Sequence, residues 1–292
     1  MMPQAAILEP IPGHARHLFF DLASAAEPRA PLQALAAVCD GRSAVLGIGP
    51  GVAQALGVEV AGLRAFPDLP RARPAIPATQ HALWLWLRGE APGDLLRRGH
   101  ALAELAAPAF TLVQAIDCFR HQDGRDLTGY EDGTENPRGE AAVEAAIAQG
   151  GGAGVDGSSF AAVQQWLHDF RAFDAMPRTE QDACFGRERD SNEEIDEAPG
   201  AAHVKRTAQE DFEPEAFVVR RSMPWTGGTD AGLVFLAFGK SFDAFEAQLR
   251  RMTGHDDGIS DALFRFTRPL TSGYYWCPPL GAAGVDLQAL VR

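Results

Sequence analysis

Three carboxylates stand close together in Gly129-Tyr130-Glu131-Asp132-Gly133-Thr134-Glu135-Asn136-Pro137. Glycines on both sides of Asp132 and a closing proline predict a loop rather than a helix or strand. Such glycines open backbone conformations closed to other residues and let a ligand come near. The alternating oxygen ligands of a calcium loop are missing, and Pro137 removes Asn136 as a glycosylation acceptor. Taken alone the stretch also fits a plain turn, since Asp-Gly is a common turn dipeptide.

Of eight histidines, His203 stands out by its setting, Ala201-Ala202-His203-Val204-Lys205-Arg206. Small residues before it leave room for a bulky planar group, and two cations follow. Arg187 and Arg189 lie one loop earlier, and Arg220 and Arg221 one strand later. In an acidic protein this run of cations suits an anionic small molecule such as a carboxylated cofactor. A second reading stays open at this point, in which His203 caps a helix or fills a core and the arginines are solvated.

The elements that must position these residues alternate along the chain. Residues 16–22 read as a first strand, 31–39 as a helix with Pro31 at its start, and 43–48 as a short buried strand ending at Gly49-Pro50-Gly51. The Pro-rich run 66–77 is irregular; then 81–87 reads as a strand, 93–106 as a helix and 109–119 as a strand. This order predicts an α+β sandwich with helices on one face of an antiparallel sheet. Past the carboxylate loop, 150–157 is glycine-rich, 159–163 begins a strand running into 164–170, and 179–199 is charged and irregular. Strands follow at 217–221 and 232–238, an amphipathic helix at 242–252, a short helix at 262–266 and a last strand at 273–276. The second half thus repeats the alternation of the first, and two related α+β domains are expected, 1–140 and 141–292.

Composition bounds the function. The chain has 292 residues, 46% hydrophobic and 22% charged, enough for two modest cores in an ordinary globular protein. A net charge of -13 argues against nucleic acid or an anionic membrane as the main partner. The apolar run 83–87 is far too short for a membrane span. Met1-Met2-Pro3-Gln4 has no basic segment leading into an apolar core, so a cytoplasmic protein is expected. Cys39, Cys118, Cys184 and Cys277 lie far apart, without the close pairs of a zinc site or redox dithiol.

Together, Gly129–Pro137, the Ala202-His203-Val204-Lys205-Arg206 segment and Arg220-Arg221-Ser222-Met223-Pro224 resemble the dye-decolourising peroxidases. The first looks like the GxxDG signature of that family, the second its haem-ligating histidine segment, the third its distal arginine segment. Gly186-Arg187, the run from Asp261 to Thr267, and Gly273-Tyr274-Tyr275 fit as well. Order and spacing are most similar to the B-type, porphyrinogen-peroxidase-like branch, and residues 16–77 match only in general character.

The resemblance implies two ferredoxin-like α+β domains, with one haem b per chain held in the C-terminal one. It implies a peroxidase that reduces hydrogen peroxide through a ferryl intermediate and then oxidises dyes, phenols or porphyrinogens by one-electron steps. His203 would be the proximal ligand to haem iron, with Asp261 accepting from its other ring nitrogen. Asp261 is equally readable as a helix N-cap. Asp132 and Arg220 would meet the peroxide, one moving a proton and the other stabilising charge, with Ser222 as a neighbouring polar group. Phe235 would wall the distal pocket, and Arg187 would pair with a haem propionate. Tyr274, Tyr275, Trp276, Trp166 and Trp225 are candidates for carrying electrons from donors too bulky to enter, with core packing the stronger reading for most of them. Relatives often form homo-oligomers, and no interface is readable here; no tail of the kind that addresses relatives to nanocompartments is visible. The alternative is a protein that binds or transfers haem or porphyrin without turnover, which would need His203 but neither Asp132 nor Arg220.

Overall fold

The computed structural model describes residues 1–24 and 26–291. Its first half runs β1 (His14–Leu22), α1 (Arg29–Val38), β2 (Ala44–Ile48), α2 (Pro50–Leu56), β3 (Leu83–Gly89), α3 (Pro92–Ala106) and β4 (Phe110–Phe119). The four strands lie in the order β2-β3-β1-β4, every pair antiparallel. The second half runs α4 (Glu140–Ala146), β5 (Ser159–His168), α5 (Phe170–Asp174), α6 (Arg178–Phe185), α7 (His203–Thr207), β6 (Val219–Arg220), β7 (Met223–Gly227), β8 (Asp230–Gly239), α8 (Asp243–Met252) and β9 (Thr267–Cys277). Here the order is β9-β5-β8, with β7 and β6 both on the far side of β8, again antiparallel throughout. The fold is therefore α+β with antiparallel sheets, and both halves show the strand order of a split βαβ unit.

The two sheets meet at both edges. Ile48 bridges Trp276 between β2 and β9, and Cys118 bridges Trp225 between β4 and β7. The strands thus form one hydrogen-bonded circuit, which leaves few free edges. Side-chain alternation explains what fills it. In β3, Leu83, Leu85 and Leu87 point to the helices, in the core shared with Leu32, Leu35 and Leu102. Trp84 and Trp86 point the other way, into a second core with Val234, Leu236, Phe238 and Tyr275. A strand buried on both faces shows no apolar/polar alternation, hence the unbroken apolar run.

His17 is sealed inside this second core, where it accepts a hydrogen bond from Trp84 Nε1 (3.2 Å). Burial lowers its pKa to about 3, so the ring is neutral and free to accept.

Several expectations are corrected. The charged stretch 179–199 is not irregular throughout: α6 forms, with Gln181 and Cys184 buried one turn apart, and ends at Gly186. Gly49-Pro50-Gly51 does not merely end a strand but opens α2, with Pro50 in the first turn where its missing N–H costs nothing. An additional strand, β7, includes Pro224, and the last strand is far longer than 273–276. Of the two readings of Tyr274, Tyr275 and Trp276, core packing is the one that fits, since all three are fully buried in β9. All four cysteines are free and buried. No helix among the described residues is long and apolar enough to cross a membrane.

Candidate active site

Alternation in β5 and β8 also builds the site. Val163 and Leu167 of β5, and Val234, Leu236 and Phe238 of β8, face the barrel interior. Their neighbours Gln164, Trp166 and His168, with Leu233 and Phe235, face outward and form the floor of a cavity of about 480 Å³. Phe245, Gln248, Leu249 and Met252 of α8 close one side, at the 3–4–7 spacing of one helix face. The start of α7 and the carboxylate loop complete the wall, bringing His203, Asp132 and Arg220 to one space.

His203 opens α7. Its Nδ1 lies 2.7 Å from Asp261 Oδ2, and the Asp261 side chain is fully buried. Nε2 has no hydrogen-bond partner among the described residues, although His203 belongs to the cavity wall. The other oxygen of Asp261 accepts from Leu263 N (2.9 Å), capping the short 3₁₀ helix Ala262–Arg265. Both readings of Asp261 therefore hold at once. Donation from Nδ1 to a carboxylate makes Nε2 the lone-pair nitrogen, the state a metal ligand requires.

In the same cavity lining, Asp132 Oδ1 and Arg220 Nη1 are 3.5 Å apart, an ion pair too long for a hydrogen bond. Both side chains are mostly buried. Their loop is tied down by its neighbours. Asn136 Oδ1 accepts from Arg220 N (2.7 Å) and Asn136 Nδ2 donates to Arg220 O (3.0 Å). Gly133 has φ +81°, and a Cβ there would meet Asn136 Nδ2 at 2.6 Å, so the second glycine of the motif is needed for this clamp. Arg125 binds Glu131 (2.8 Å) and Gly129 O, and Asn192 reaches Glu131 and Thr134.

The remaining expected residues divide. Phe235 lies in the wall, half-buried. Arg187 lies at the rim, paired with Glu135 (2.7 Å) and Glu194 (3.4 Å). Ser222 is not in the lining; it is buried and its Oγ accepts from Leu236 N (3.4 Å).

Sequence reasoning missed four residues. Asn136 is the clamp just described. Asp126 and His168 are buried in the wall, joined through Oδ2 and Nε2 (2.9 Å), with His168 Nδ1 against Thr267 Oγ1 (2.8 Å). Burial pushes the Asp126 carboxyl up, but bonds from His168 and Thr128 outweigh it and hold the group below its ordinary value. Tyr130, in the carboxylate loop itself, is buried in the wall and stacks on Phe185. The one available signal was the presence of Gln164, Gln165 and His168 in a strand that is otherwise apolar from Phe160 to Leu167.

Residues 123–282 match the family described as Dyp-type peroxidase, C-terminal. A dye-decolorizing peroxidase from Mycolicibacterium paratuberculosis is 32% identical over 244 residues, 81% of this chain and 69% of the relative. The chain belongs to the Dyp-type peroxidase family. It is thus a haem-dependent oxidoreductase acting on hydrogen peroxide. A dye-decolorizing protein from V. cholerae has the same fold, with TM-score 0.83, 26% identity, and 94% of this chain and 96% of that one aligned. A DypB variant from Rhodococcus jostii solved in complex with haem aligns at TM-score 0.84 and 25% identity, over 95% and 96% of the two chains.

The cavity fits haem on its own chemistry. It offers one uncommitted imidazole nitrogen backed by a buried carboxylate, apolar walls, and cations at its rim.

Proposed function

We propose that His203 would hold haem iron through Nε2 and that Asp132 and Arg220, on the same cavity, together cleave hydrogen peroxide. The observation that carries this reading is the Asp132–Arg220 pair, 3.5 Å apart, on the same cavity as the Asp261-backed His203. When bound, haem supplies the iron at which the peroxide O–O bond is broken. Asp132 accepts the proton of the inner peroxide oxygen at Oδ2, since Oδ1 faces the guanidinium. It returns that proton to the departing oxygen, which leaves as water. Arg220 stabilises the negative charge that develops as the bond breaks. Leu233 and Phe235 limit water at the reacting atoms.

Asp261 holds His203 in one tautomer and raises its basicity. Arg187 and Lys205 stand where propionates of the cofactor would find cations, in exchange for their present glutamate partners. Dyes, phenols or porphyrinogens then return electrons one at a time. The strand order of each half supports a division near residue 140, with the cofactor held chiefly by residues 141–292 and Asp132 supplied from before it.

Stopped-flow mixing of hemin-loaded protein with peroxide tests the reading. Asp132→Asn and Arg220→Leu should each slow the spectral change by about 10²–10⁴-fold while hemin content stays at the wild-type level. Wild-type rates in both variants would overturn it.

A further inference from the structure

The chain has three tyrosines, Tyr130, Tyr274 and Tyr275, and all three are buried. A phenol that loses an electron becomes strongly acidic, so its oxidation is favoured where a base stands ready for the proton. The hydroxyl of Tyr274 has no hydrogen-bond partner among the described residues, and that of Tyr275 meets backbone at His81 and no carboxylate. Tyr130 differs: its hydroxyl donates to Asp182 Oδ1.

The surroundings of Tyr130 extend this contrast. Its ring stacks on Phe185 with centroids 3.7 Å apart and 12° between planes, and both residues line the cavity. Phe173 meets it edge-on at 6.5 Å. Asp182 lies on the outer side, its side chain 16% exposed, accepting from Arg178 Nε (3.1 Å) and Arg189 N (3.2 Å). Arg178 also holds Asp190 (2.9 Å), which is 90% exposed. A phenol, a carboxylate and a guanidinium thus run from the cavity wall to the surface.

We propose that Tyr130 is an electron relay of this enzyme, with Asp182 as its proton acceptor. In the forward step the Tyr130 O–H bond breaks. One electron enters the peroxide-oxidised cofactor, the proton moves to Asp182 Oδ1, and a neutral phenoxyl remains. A reducing substrate then gives one electron to the phenoxyl, and Asp182 returns the proton to re-form the O–H bond. Substrates too large for the cavity gain a route through the Asp182–Arg178 face. Burial, and then the bond and charge of Asp182, hold the phenol well above its ordinary pKa, so the proton stays on Tyr130 until the electron leaves. The Phe185 and Phe173 rings shield the phenoxyl from water.

This relay rests on the peroxidase reading above, and one experiment separates their failures. Hemin-loaded full-length protein, made with ordinary or ring-deuterated tyrosine, is mixed with one equivalent of peroxide. Each sample is followed at the Soret band and freeze-quenched for electron paramagnetic resonance. The expected wild-type radical signal narrows on ring deuteration, is lost in Tyr130→Phe, persists in Tyr274→Phe, and falls by about tenfold in Asp182→Asn. Tyr130→Phe keeps the ring and its stacking, and Asp182→Asn keeps the phenol. A deuterium-sensitive signal that survives in Tyr130→Phe would overturn the relay, as would its absence in wild type whose Soret band has responded to peroxide. A wild-type Soret band indifferent to peroxide would overturn both readings.

Discussion

Asn136 grips Arg220 by both of its backbone polar groups, accepting from N at 2.7 Å and donating to O at 3.0 Å. The two residues are 84 positions apart, and the clamp sets the spacing between the carboxylate loop and the strand that carries the guanidinium. Asp132 and Arg220 keep their 3.5 Å separation without a direct hydrogen bond because their backbones are held by this neighbour.

Replacing Asn136 should therefore cost activity before it costs cofactor. Asn136→Ala is expected to lower kcat/KM for peroxide by about 10²-fold, the scale of a small misplacement of catalytic groups. Hemin content should stay close to wild type, because His203 and its support lie on other elements. Steady-state kinetics beside a pyridine haemochrome assay measure both.

Asp261 does two jobs with its two oxygens, and two substitutions separate them. Asp261→Asn retains a cap for Leu263 N but removes the charge behind His203, so haem affinity should fall by about 10–100-fold with little change in Tm. Asp261→Ala should lose affinity as well and also destabilise the fold by about 1 kcal/mol from the missing cap. Hemin titration and thermal unfolding of each variant distinguish these outcomes. Equal Tm losses in the two variants would argue that the charge, not the cap, matters to folding.

His17 predicts an acid sensitivity of the fold. Its folded pKa is lowered to about 3, below the ordinary histidine value of 6.5, so the unfolded chain binds the extra proton first. The stabilisation is fully present above the unfolded value, is lost as pH falls from 6.5 toward 3, and changes no further below that. Between pH 7 and 5 this contribution amounts to about 2 kcal/mol. Denaturant unfolding at both pH values should show that loss in wild type and a smaller one in His17→Gln, which does not titrate.

Most of the strands were legible because apolar runs such as 83–87 read as buried whatever covers them. Their partners were not legible. Trp84 and Trp86 face Leu236 and Phe238, some 150 residues on, and no local pattern announces a second sheet. Helix α6 was hidden by its charge, since Gln181 and Cys184 are its buried positions and neither is a strong apolar marker. Strand β7 carried no strand reading because Pro224 stands inside it, and proline is rare within strands.

At the site, legibility followed the same rule. Asp132, His203 and Arg220 each sit in a recognisable local segment, and the fold brings all three to one cavity. Asp261 was expected behind His203, 58 residues away, through the resemblance, and lies there at 2.7 Å. Ser222 lies outside the lining because residues 221 and 222 interrupt the strand between β6 and β7, so strand alternation does not carry over from Arg220: Arg220 reaches the cavity, whereas Ser222 turns toward Leu236. Asp126 and Asn136 act through contacts 42 and 84 residues away, for which the chain holds no local signal, and His168 was marked only by the polar residues of its own strand.

The chemistry proposed for the cavity depends on His203 holding haem iron. Absorption spectra of wild type and His203→Ala, each titrated with hemin and then mixed with peroxide, test it most directly. Wild type should give a sharp Soret band at one hemin per chain that changes on adding peroxide. His203→Ala should bind hemin more weakly or with a shifted band, and exogenous imidazole should restore the wild-type spectrum. An unaltered Soret band and peroxide response in His203→Ala would mean that another group holds the iron.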